Sequence, residues 1–459
     1  MSLWLRLLWP LPERGRWPVC LGYGYLLAMA GIGLILRLQA AVGVSLSPWP
    51  GLVVSIGFII AGLVVLRRRS ARSASLPPGV AGSYSVWHLL VFGGLLLWLG
   101  LRLLDLALEV WWQPLYPWDA WTTWAVRARV WAELQELVPF VSGEAWLAHP
   151  EEPFYTIDAW AYPPAVSLIA SWPSLAMGAW HETASNLPWL GAGLALGLGL
   201  YGQARLWGAS PLWSLITLWL ALSLPILQTQ IALAGYADIW VALALALGLM
   251  AFLQWARNGD WRQGLLAVLA LVACSLMKRE GLVWASLFIP ALIVARLRGW
   301  WLLAAMGVLV GVVGWIGYRG GLGFEVPAFG PVWLGFDRIA IPGLPSFTYQ
   351  YHDVWEPVLR HTLLYSNWHL FPYLLVLALL AAAFAVFRPG SAGWQRAGLV
   401  WALASLSAVY VLFFWTEAHQ WVVQGTSINR ILLQFAPALT FWMMMVWLDL
   451  TAKVRRGSV

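Results

Sequence analysis

Long apolar runs, separated by short polar segments, constrain this chain more than any other feature of its sequence. Twelve of them lie near 19–37, 50–66, 86–104, 187–204, 211–229, 238–256, 264–279, 281–296, 301–318, 370–387, 397–415 and 431–450. Backbone groups cannot stay unpaired in lipid, so such runs form helices or a closed barrel, and the lack of two-residue alternation favours helices. Only 10% of the residues are charged, whereas a soluble domain needs about a quarter. The sequence therefore predicts an all-α polytopic membrane protein with about 12 transmembrane helices (11–13).

The basic residues predict how these helices are oriented, because cytoplasmic segments are enriched in lysine and arginine. With the N-terminus in the cytoplasm, seventeen of the 27 basic residues but only three of the 20 acidic residues fall inside. We read Arg6, Arg14 and Arg16 before the first run as part of a retained signal-anchor. Cys20 and Cys274 indicate no disulfide framework. This topology accounts for the net charge of +7, so no nucleic-acid partner is expected.

The runs divide the chain into five segments of one integrated membrane domain. These are an N-terminal three-helix segment, a first outer loop with juxtamembrane helices, central transmembrane helices, a second outer loop and C-terminal transmembrane helices: 1–104, 105–186, 187–318, 319–369 and 370–459. Within the first loop, 161–180 is apolar but short and contains three prolines. A full crossing there would turn every later basic loop outward, so we expect this segment to dip in and return.

The first outer loop contains YPWDAWTTWAVRARVW (116–131), in which Asp119 is the single acid. Apolar residues then recur at three- to four-residue steps: Trp121, Trp124, Ala128 and Trp131. This spacing predicts an amphipathic helix lying in the membrane interface, with Arg127 away from its apolar face. A plain anchor helix with Asp119 as its N-cap fits the same pattern.

Other charged residues come to the same outer depth from segments far apart in sequence. They are Asp238 in LAGYADIW, Lys278, Arg279 and Glu280 in SLMKREGLVW, and Arg430 in TSINRILLQF. Each alone fits a snorkelling end residue or a charge-tolerant short loop. Charges at bilayer depth cost about 2.5–3.5 kcal/mol each and commonly line a polar cavity. Together they suit a phosphate held at headgroup level, with a carboxylate that deprotonates an attacking hydroxyl.

At these residues the chain resembles the GT-C superfamily of integral-membrane glycosyltransferases, which use polyprenyl-linked sugars. WDAWTTWAVRARVW resembles the first-loop motif of bacterial members, and four short motifs follow in the same order: YPP (162–164), GYAD (235–238), KREG (278–281) and TSINR (426–430). The resemblance covers roughly 105–450. It implies an inverting transferase in the bacterial cytoplasmic membrane that moves a sugar from a polyprenyl phosphate or pyrophosphate to an acceptor hydroxyl outside. The acceptor is a glycan, a lipid or a protein.

The resemblance also implies roles for individual residues. Asp119 would be the general base and Asp238 a second catalytic acid. Lys278, Arg279 and Arg430 would bind the lipid phosphate. Further substrate contacts are expected from Trp121, Trp124, Tyr162, Glu280, His352 and Asp353. The loop shows one acid where many members have a pair, so no metal site or cofactor is expected, although a divalent metal stays open.

The second outer loop contains residues that favour other functions. The prolines at 327, 331, 342 and 345 predict that this loop, 319–369, forms an irregular lid over the acceptor. Within it, a metal site in YHDVWEPVLRH (351–361) is the less favoured interpretation. Arg338, Arg360 and His361 keep an O-antigen polymerase or ligase open. A transporter or structural subunit for lipid-linked glycans is the rival from another class, but a transporter needs charged groups near the midplane, and the span interiors hold almost none. His149 is expected to be a solvated loop residue.

Overall fold

The computed structural model describes residues 1–8, 14–70, 84–112, 117–326, 330–335, 338–341, 347, 350–388 and 390–455. It is 77% helical with almost no sheet, as expected for an all-α membrane protein. The N-terminal part contains α1 Ser2–Leu8, α2 Arg16–Ala41, α3 Pro48–Ser70 and α4 Val86–Trp112. A π-helical turn at Ala120–Trp124 then leads into α5 Ala125–Leu134, α6 Gly143–Ala148 and α7 Ala165–Met177.

The remaining helices follow in two groups. The central group is α8 Glu182–Trp207, α9 Pro211–Leu222, α10 Pro225–Ala232, α11 Asp238–Asn258, α12 Trp261–Met277, α13 Arg279–Ser286, α14 Phe288–Arg296 and α15 Gly299–Tyr318. The C-terminal group is α16 Trp355–Leu359, a π-helical turn at Arg360–Leu364, α17 Phe371–Phe387, α18 Gly393–Trp415, α19 His419–Val423 and α20 Ile428–Arg455. Five short strands complete the fold: β1 Phe140–Val141, β2 Tyr155–Thr156, β3 Leu322–Val326, β4 Gly330–Leu334 and β5 Ile339–Ala340.

Within the described residues, seven helices are long and apolar enough to cross a membrane: α2, α3, α4, α11, α15, α18 and α20. The count rises to eight if α9 and α10, bent by 70° at their break, form one crossing. The expectation of about 12 crossings is therefore met only in part. The other predicted runs fall in α8, which is less apolar, in α12 and α17, which have 17 residues each, and in α13 with α14.

Proline explains two of these interruptions. The run 211–229 breaks before Pro225, which begins α10 and has no N–H to continue the hydrogen bonds of α9. The run 281–296 breaks at Leu287, between α13 and α14. There, Pro290 cannot donate to the carbonyl of Ser286, so the end of α13 loses its partner.

α11 is the central helix of the bundle. Every side chain from 239 to 251 is buried, apart from glycine, which has none, as expected for a helix that is hydrophobic all round and enclosed by others. It packs against α8, α12, α18 and α20. By contrast, α15 buries none of its residues, and only 11% of the apolar windows of α3 and α4 is buried. These helices form the rim.

The two ends of the bundle differ in charge. One, here called the site end, holds the starts of α11, α13 and α20 and the end of α12, which are joined by contacts among Asp238, Lys278 and Arg430. The other, here called the basic end, holds the end of α8 and α11 and the start of α18. There Arg257 donates to the Trp207 carbonyl (2.7 Å), and Arg298 donates to the Ser391 carbonyl (3.1 Å).

The first outer loop packs onto the site end. β1 and β2 pair in parallel, Phe140 with Tyr155. α7 has 13 residues, about 20 Å of helix, which is short of the roughly 30 Å that a crossing requires. The Ser174 hydroxyl of α7 contacts the Ser185 hydroxyl of α8 at 2.8 Å, and α8 starts at the site end. α7 is therefore too short for a full crossing, and the dip and return of 161–180 stays a prediction.

The second outer loop is more regular than expected. β3 and β4 pair antiparallel from Leu322 with Leu334 to Val326 with Gly330, and β5 adds to β4. An isolated bridge between Phe347 and Thr416 ties this loop to the end of α18. The expected irregular lid is therefore wrong for 322–326, 330–334 and 339–340, which form a three-stranded sheet. Of the four prolines that predicted the lid, those at 327, 342 and 345 lie outside the described residues.

Candidate functional site

A single arginine joins the two predicted aspartates. The Arg430 guanidinium donates through Nη1 to Asp119 Oδ1 at 3.2 Å and through Nη2 to Asp119 Oδ2, which makes a bidentate pair. Its Nε donates to Asp238 Oδ2 at 2.8 Å. The planar fork of arginine suits such double contacts. Asp119 and Asp238 are 119 positions apart along the chain, and Asp238 and Arg430 are 192 positions apart. All three side chains nevertheless meet at one point of the site end.

Asp238 is the buried anchor of this group. Its side chain has no exposed surface, and it begins α11, where the helix N-terminus favours negative charge. Besides Arg430, Asp238 Oδ1 accepts from Lys278 Nζ at 3.2 Å and from Gln434 Nε2 at 2.6 Å. Since its oxygens are occupied and shielded, Asp238 is placed to position the cations. Its predicted role as a second catalytic acid stays a prediction.

Glu280 is the third carboxylate of the group. Lys278 Nζ lies 2.9 Å from Glu280 Oε1, and the Tyr162 hydroxyl donates to the same oxygen at 3.3 Å. The other oxygen, Oε2, is buried and has no hydrogen-bond partner among the described residues. We name Asp119, Asp238, Glu280, Lys278 and Arg430 the carboxylate cluster. Its three acids outnumber its two cations, so it carries excess negative charge.

The electrostatics of the surrounding groups follow from burial. Burial raises the pKa of the Tyr162 phenol above its usual range, and the Glu280 carboxylate adds to the rise. Burial also raises the pKa of Tyr236, although Arg430 opposes it; the Arg430 guanidinium lies 4.3 Å from the Tyr236 ring. Both phenols therefore stay protonated at neutral pH and can donate hydrogen bonds.

Local sequence explains how the cluster is held together. Lys278 is extended (φ −153°, ψ 152°), which separates α12 from α13. A Cβ added at Gly281 would lie 2.2 Å from the Cys274 carbonyl oxygen, so this close turn requires glycine. Gln434 is four residues after Arg430, on the same face of α20. Its Oε1 accepts from Trp284 Nε1 at 2.5 Å, which joins α20 to α13.

Arg127 fixes the backbone of the segment that carries Tyr162. It donates to the carbonyls of Tyr162 (2.9 Å), Ala159 (3.2 Å) and Trp160 (2.9 Å). Only 2% of it is exposed, and burial lowers its pKa to about 10. The expectation that Arg127 lies away from the buried face was therefore wrong. Three carbonyls and the nearby rings of Trp131 and Phe140 replace part of the water that this guanidinium loses, while its buried Nε has no hydrogen-bond partner among the described residues.

The tryptophans of this loop are split between two environments. Trp124 is buried, and its ring centroid lies 5.4 Å from that of Tyr162, whereas Trp121 is 59% exposed. Trp131 is buried. The expected single apolar face fails at Trp121 because the segment opens with a π-helical turn, whose wider hydrogen-bonded turn changes the spacing before α5 begins. Asp119 caps no helix through its side chain.

Arg279 points away from the cluster although it follows Lys278 directly. Its Nε donates to the Ala161 carbonyl at 2.9 Å. Its side chain lines a cavity of about 180 Å³ with Arg37 of α2, Tyr162, Leu34 and Leu168, and no acidic residue lines it. We call this the arginine groove. Tyr162 lines it and also contacts Glu280, so the phenol stands between the groove and the carboxylate cluster.

The predicted residues of the second loop lie apart from the cluster. The His352 ring stacks on His419 at 3.7 Å, and Asp353 Oδ1 accepts from the Trp355 N–H at 3.3 Å. Across the described residues, no hydrogen bond or ion pair joins either of them to the cluster. The loop reaches α20 through His361 instead, whose Nδ1 lies 3.1 Å from Asn429 Nδ2.

The residues that favoured the alternatives are dispersed. Arg360 pairs with Glu356 of the preceding α16 at 2.6 Å, with both side chains exposed, and Arg338 is exposed. His149 is exposed and lies 6.4 Å, ring to ring, from Phe154. Among the described residues, no group of three or more His, Cys, Asp or Glu side chains is placed to hold a metal.

Several residues of the site were missed at the level of sequence. Gln434 could have been found from its i+4 spacing to Arg430. Arg37 could have been found as an arginine within an apolar run, since such charges mark functional positions. Tyr236 lies within GYAD and Trp284 ends SLMKREGLVW, but no local pattern indicates that the tertiary fold brings their rings to the cluster.

Comparisons of the chain with protein-family models, with curated proteins and with solved structures give no match. Fold and site therefore define the class on their own: the chain is an all-α, multi-pass membrane protein with a charged cluster buried at one end of its helical bundle.

Proposed function

We propose that this protein is a membrane glycosyltransferase that moves a sugar from a polyprenyl phosphate or pyrophosphate to an acceptor hydroxyl, with inversion. The observation that carries the proposal is the graded exposure of the three clustered carboxylates. The side chain of Asp119 is 23% exposed, that of Glu280 11% and that of Asp238 0%. Asp119 is the most exposed of the three carboxylates, and Arg430, which also pairs with the buried Asp238, holds it in place. A base that solvent can reach and that is held in this way suits general-base catalysis.

In this mechanism Asp119 takes the proton of the acceptor hydroxyl. The hydroxyl oxygen then attacks the sugar's anomeric carbon, and the bond from that carbon to the phosphate oxygen breaks. The electron pair leaves with the phosphate. Because one displacement occurs and no protein group bonds to the sugar, the configuration inverts. Arg430 keeps the two Asp119 oxygens in a fixed plane, so the base needs little reorganisation as the proton moves.

The donor phosphate fits the arginine groove better than the cluster. Lys278 and Arg430 are both paired with carboxylates, and the cluster's excess negative charge would repel a phosphate. Arg279 and Arg37 face an acid-free, largely apolar cavity, which suits a phosphate that carries a hydrocarbon tail. Arg279 keeps its predicted role, Arg37 joins it, and Lys278 and Arg430 act by positioning Asp119 and Asp238.

The distribution of charge supports a site on the outer face of a bacterial cytoplasmic membrane. The basic end carries Arg205, Arg257, Arg298 and Arg396, and the positive-inside rule assigns such an end to the cytoplasm. The cluster lies at the other end. Consecutive long helices alternate between the two ends, so the proposal includes up to twelve passes. Several of these passes would be short, tilted or broken, which membrane proteins allow near buried polar sites.

The decisive experiment uses Asp119→Asn. The amide keeps an oxygen that accepts from Arg430, so we expect normal folding, and the loss of a general base lowers transfer by about 10²–10⁴-fold. Purified protein in lipid nanodiscs is given polyprenyl-phosphate sugars with an envelope extract as acceptor. Released polyprenyl phosphate and labelled product are measured, and the anomeric configuration of the product is read by NMR. Asp105→Asn is the matched control, because Asp105 is an exposed carboxylate paired with Arg102.

A wild-type protein that transfers no sugar from any polyprenyl donor would overturn the proposal. Equal transfer by wild type and Asp119→Asn would overturn the role of the base alone. Retained configuration in the product would exclude the single displacement. Lipid-linked glycan moved across vesicles at equal rates by both proteins would instead favour the transporter.

A further inference from the structure

One side chain, Asn429, joins the second outer loop to the start of α20. Its Oδ1 accepts a hydrogen bond from Trp368 Nε1 at 2.9 Å, and its Nδ2 lies 3.1 Å from Nδ1 of His361. Both contacts come from the same short segment of the loop, 361–368, which begins in the π-helical turn. We call His361, Trp368 and Asn429 the loop latch. It lies at the site end, because the next residue along α20 is Arg430 of the carboxylate cluster.

The tryptophan of the loop latch determines which way the Asn429 amide faces. An indole N–H can only donate, so it requires the amide oxygen as its partner. Only 2% of Trp368 is exposed. An amide turned the other way would leave the indole N–H without an acceptor in a place that water hardly reaches, which is costly. The amide nitrogen of Asn429 must therefore face His361.

The imidazole of His361 fits the loop latch only when it is neutral. An amide nitrogen donates and cannot accept, so Nδ1 of His361 must be the unprotonated nitrogen of the ring. Protonation would place an N–H against the amide N–H groups of Asn429 and remove this hydrogen bond. If the amide turned to offer its oxygen to the imidazolium, the hydrogen bond from Trp368 would be lost instead. In either case protonation removes one of the two bonds of the latch.

The charged groups around the loop latch are engaged elsewhere. In the part of the chain that the structure describes, no ion pair involves His361. Arg360 of the same turn and Glu356 of the preceding α16 pair with each other. On α20, the Arg430 guanidinium pairs with the two aspartates of the carboxylate cluster. On α19, Nδ1 of His419 lies 3.1 Å from a backbone carbonyl oxygen. No carboxylate therefore stands ready to stabilise a protonated His361.

The His361 ring is also enclosed on two sides. The Tyr365 ring meets it edge to face, with 5.0 Å between the centroids, and a Cβ added at Gly425 would lie 3.1 Å from its Nε2. Burial accordingly lowers the pKa of His361 below its ordinary value, which is about 6.5. Because the latched ring binds a proton more weakly than the released ring, the latch has its full strength above about pH 6.5 and weakens as the pH falls below it.

We propose that the loop latch is released by acid: neutral His361 holds the segment 355–368 against α20, and protonation of its ring frees that segment. Histidine is the side chain whose charge ordinarily changes between pH 5 and 8. Since Asn429 directly precedes Arg430, release uncovers the start of α20 beside the carboxylate cluster. This inference does not depend on the proposed sugar transfer.

Hydrogen–deuterium exchange of the full chain in lipid nanodiscs, read by mass spectrometry at about pH 7.5 and about pH 5, tests the latch. His361→Gln is the reference, because its amide oxygen accepts from Asn429 at either pH, and a comparison at equal pH cancels the chemical rate of exchange. Between the two pH values, protection of 355–368 in the wild type should fall by up to about thirtyfold relative to this reference. Asn429→Asp should reverse the effect, because a carboxylate accepts from an imidazolium, and protection should then rise at the lower pH.

His149→Gln is the matched control, because it removes an exposed histidine of the first outer loop, and it should behave as the wild type does at both pH values. The proposal would be overturned if the wild type and His361→Gln lost protection equally at the lower pH. A loss that extends over the whole chain would also overturn it, since that result means general acid unfolding. If Asn429→Asp lost protection in acid as the wild type does, the assigned contact between the amide and the imidazole would be wrong.

Discussion

Replacing Arg430 by glutamine should destabilise the protein more than replacing Asp238 by asparagine. In the wild type, three carboxylates of the cluster face two cations. Arg430→Gln leaves three carboxylates beside Lys278 alone, and Asp238 has no exposed surface through which water could compensate. Removing one partner of a buried pair costs roughly 3–5 kcal/mol. Because Lys278 and Gln434 still contact Asp238, we expect the lower end, about 3 kcal/mol.

Asp238→Asn has the opposite effect on the balance of charge. It leaves two carboxylates and two cations, and the asparagine oxygen still accepts a hydrogen bond. The cost should be that of weakened charge-assisted hydrogen bonds, about 1.5 kcal/mol. The double variant should then be more stable than the sum of the single losses implies, by at least about 1 kcal/mol, since the two groups are in direct contact.

Equilibrium unfolding in mixed micelles, followed by far-UV circular dichroism during a titration with sodium dodecyl sulfate, measures these free energies. Arg129→Gln is the control, because Arg129 pairs with Glu133 at the surface and such pairs contribute about 0.2–1 kcal/mol. If Asp238→Asn proved more destabilising than Arg430→Gln, or if the two losses were additive, the cluster would not be governed by its charge balance, and the reasoning would fail.

Three further substitutions test the frame of the site. Arg127→Lys keeps the charge, but one ammonium cannot replace a fork bonded to three carbonyls; sugar transfer should fall, and amide exchange in the contacted segment should rise. Gly281→Ala brings a Cβ to 2.2 Å from the Cys274 carbonyl oxygen and should lower the thermal midpoint, whereas Gly307→Ala, with no atom within 4 Å, should not. Tyr162→Phe removes the hydrogen bond to Glu280 and should lower transfer about tenfold while the thermal midpoint stays nearly constant.

The depth of the charged residues could be predicted from the sequence. Asp238, Lys278 and Arg430 each stand at the end of an apolar run, and Asp119 lies in the outer loop that follows the third run. The positive-inside rule gives every run a direction. Charged residues at the same depth of one bundle are expected to pair with one another, because an unpaired charge is costly there. The meeting of these four residues was therefore a reasonable expectation, and the structure brings them together.

The direction in which each of these side chains points around its helix could not be predicted from the sequence. Lys278 is extended and Arg279 begins α13, so the two side chains point in different directions. Which of them would turn toward Asp238 depends on how α13 is rotated against its neighbours. That rotation is set by the close contact of Gly281 with Cys274 and by the bond from Trp284 to Gln434. Such contacts join distant segments and leave no mark in the local sequence.

The separation of charge at the site end is what makes the proposed chemistry coherent. The acceptor hydroxyl is neutral and must lose a proton, so it needs the negative cluster around Asp119. The donor phosphate is an anion and must gain charge as it leaves, so it needs the positive groove of Arg37 and Arg279. If the two sets of charges mixed, each would neutralise the other. Tyr162, which lines the groove and bonds to Glu280, keeps them apart, and Arg127 holds its backbone in place. In the proposed mechanism, the first outer loop therefore separates the base from the donor phosphate, although its sequence also fits a plain interfacial anchor.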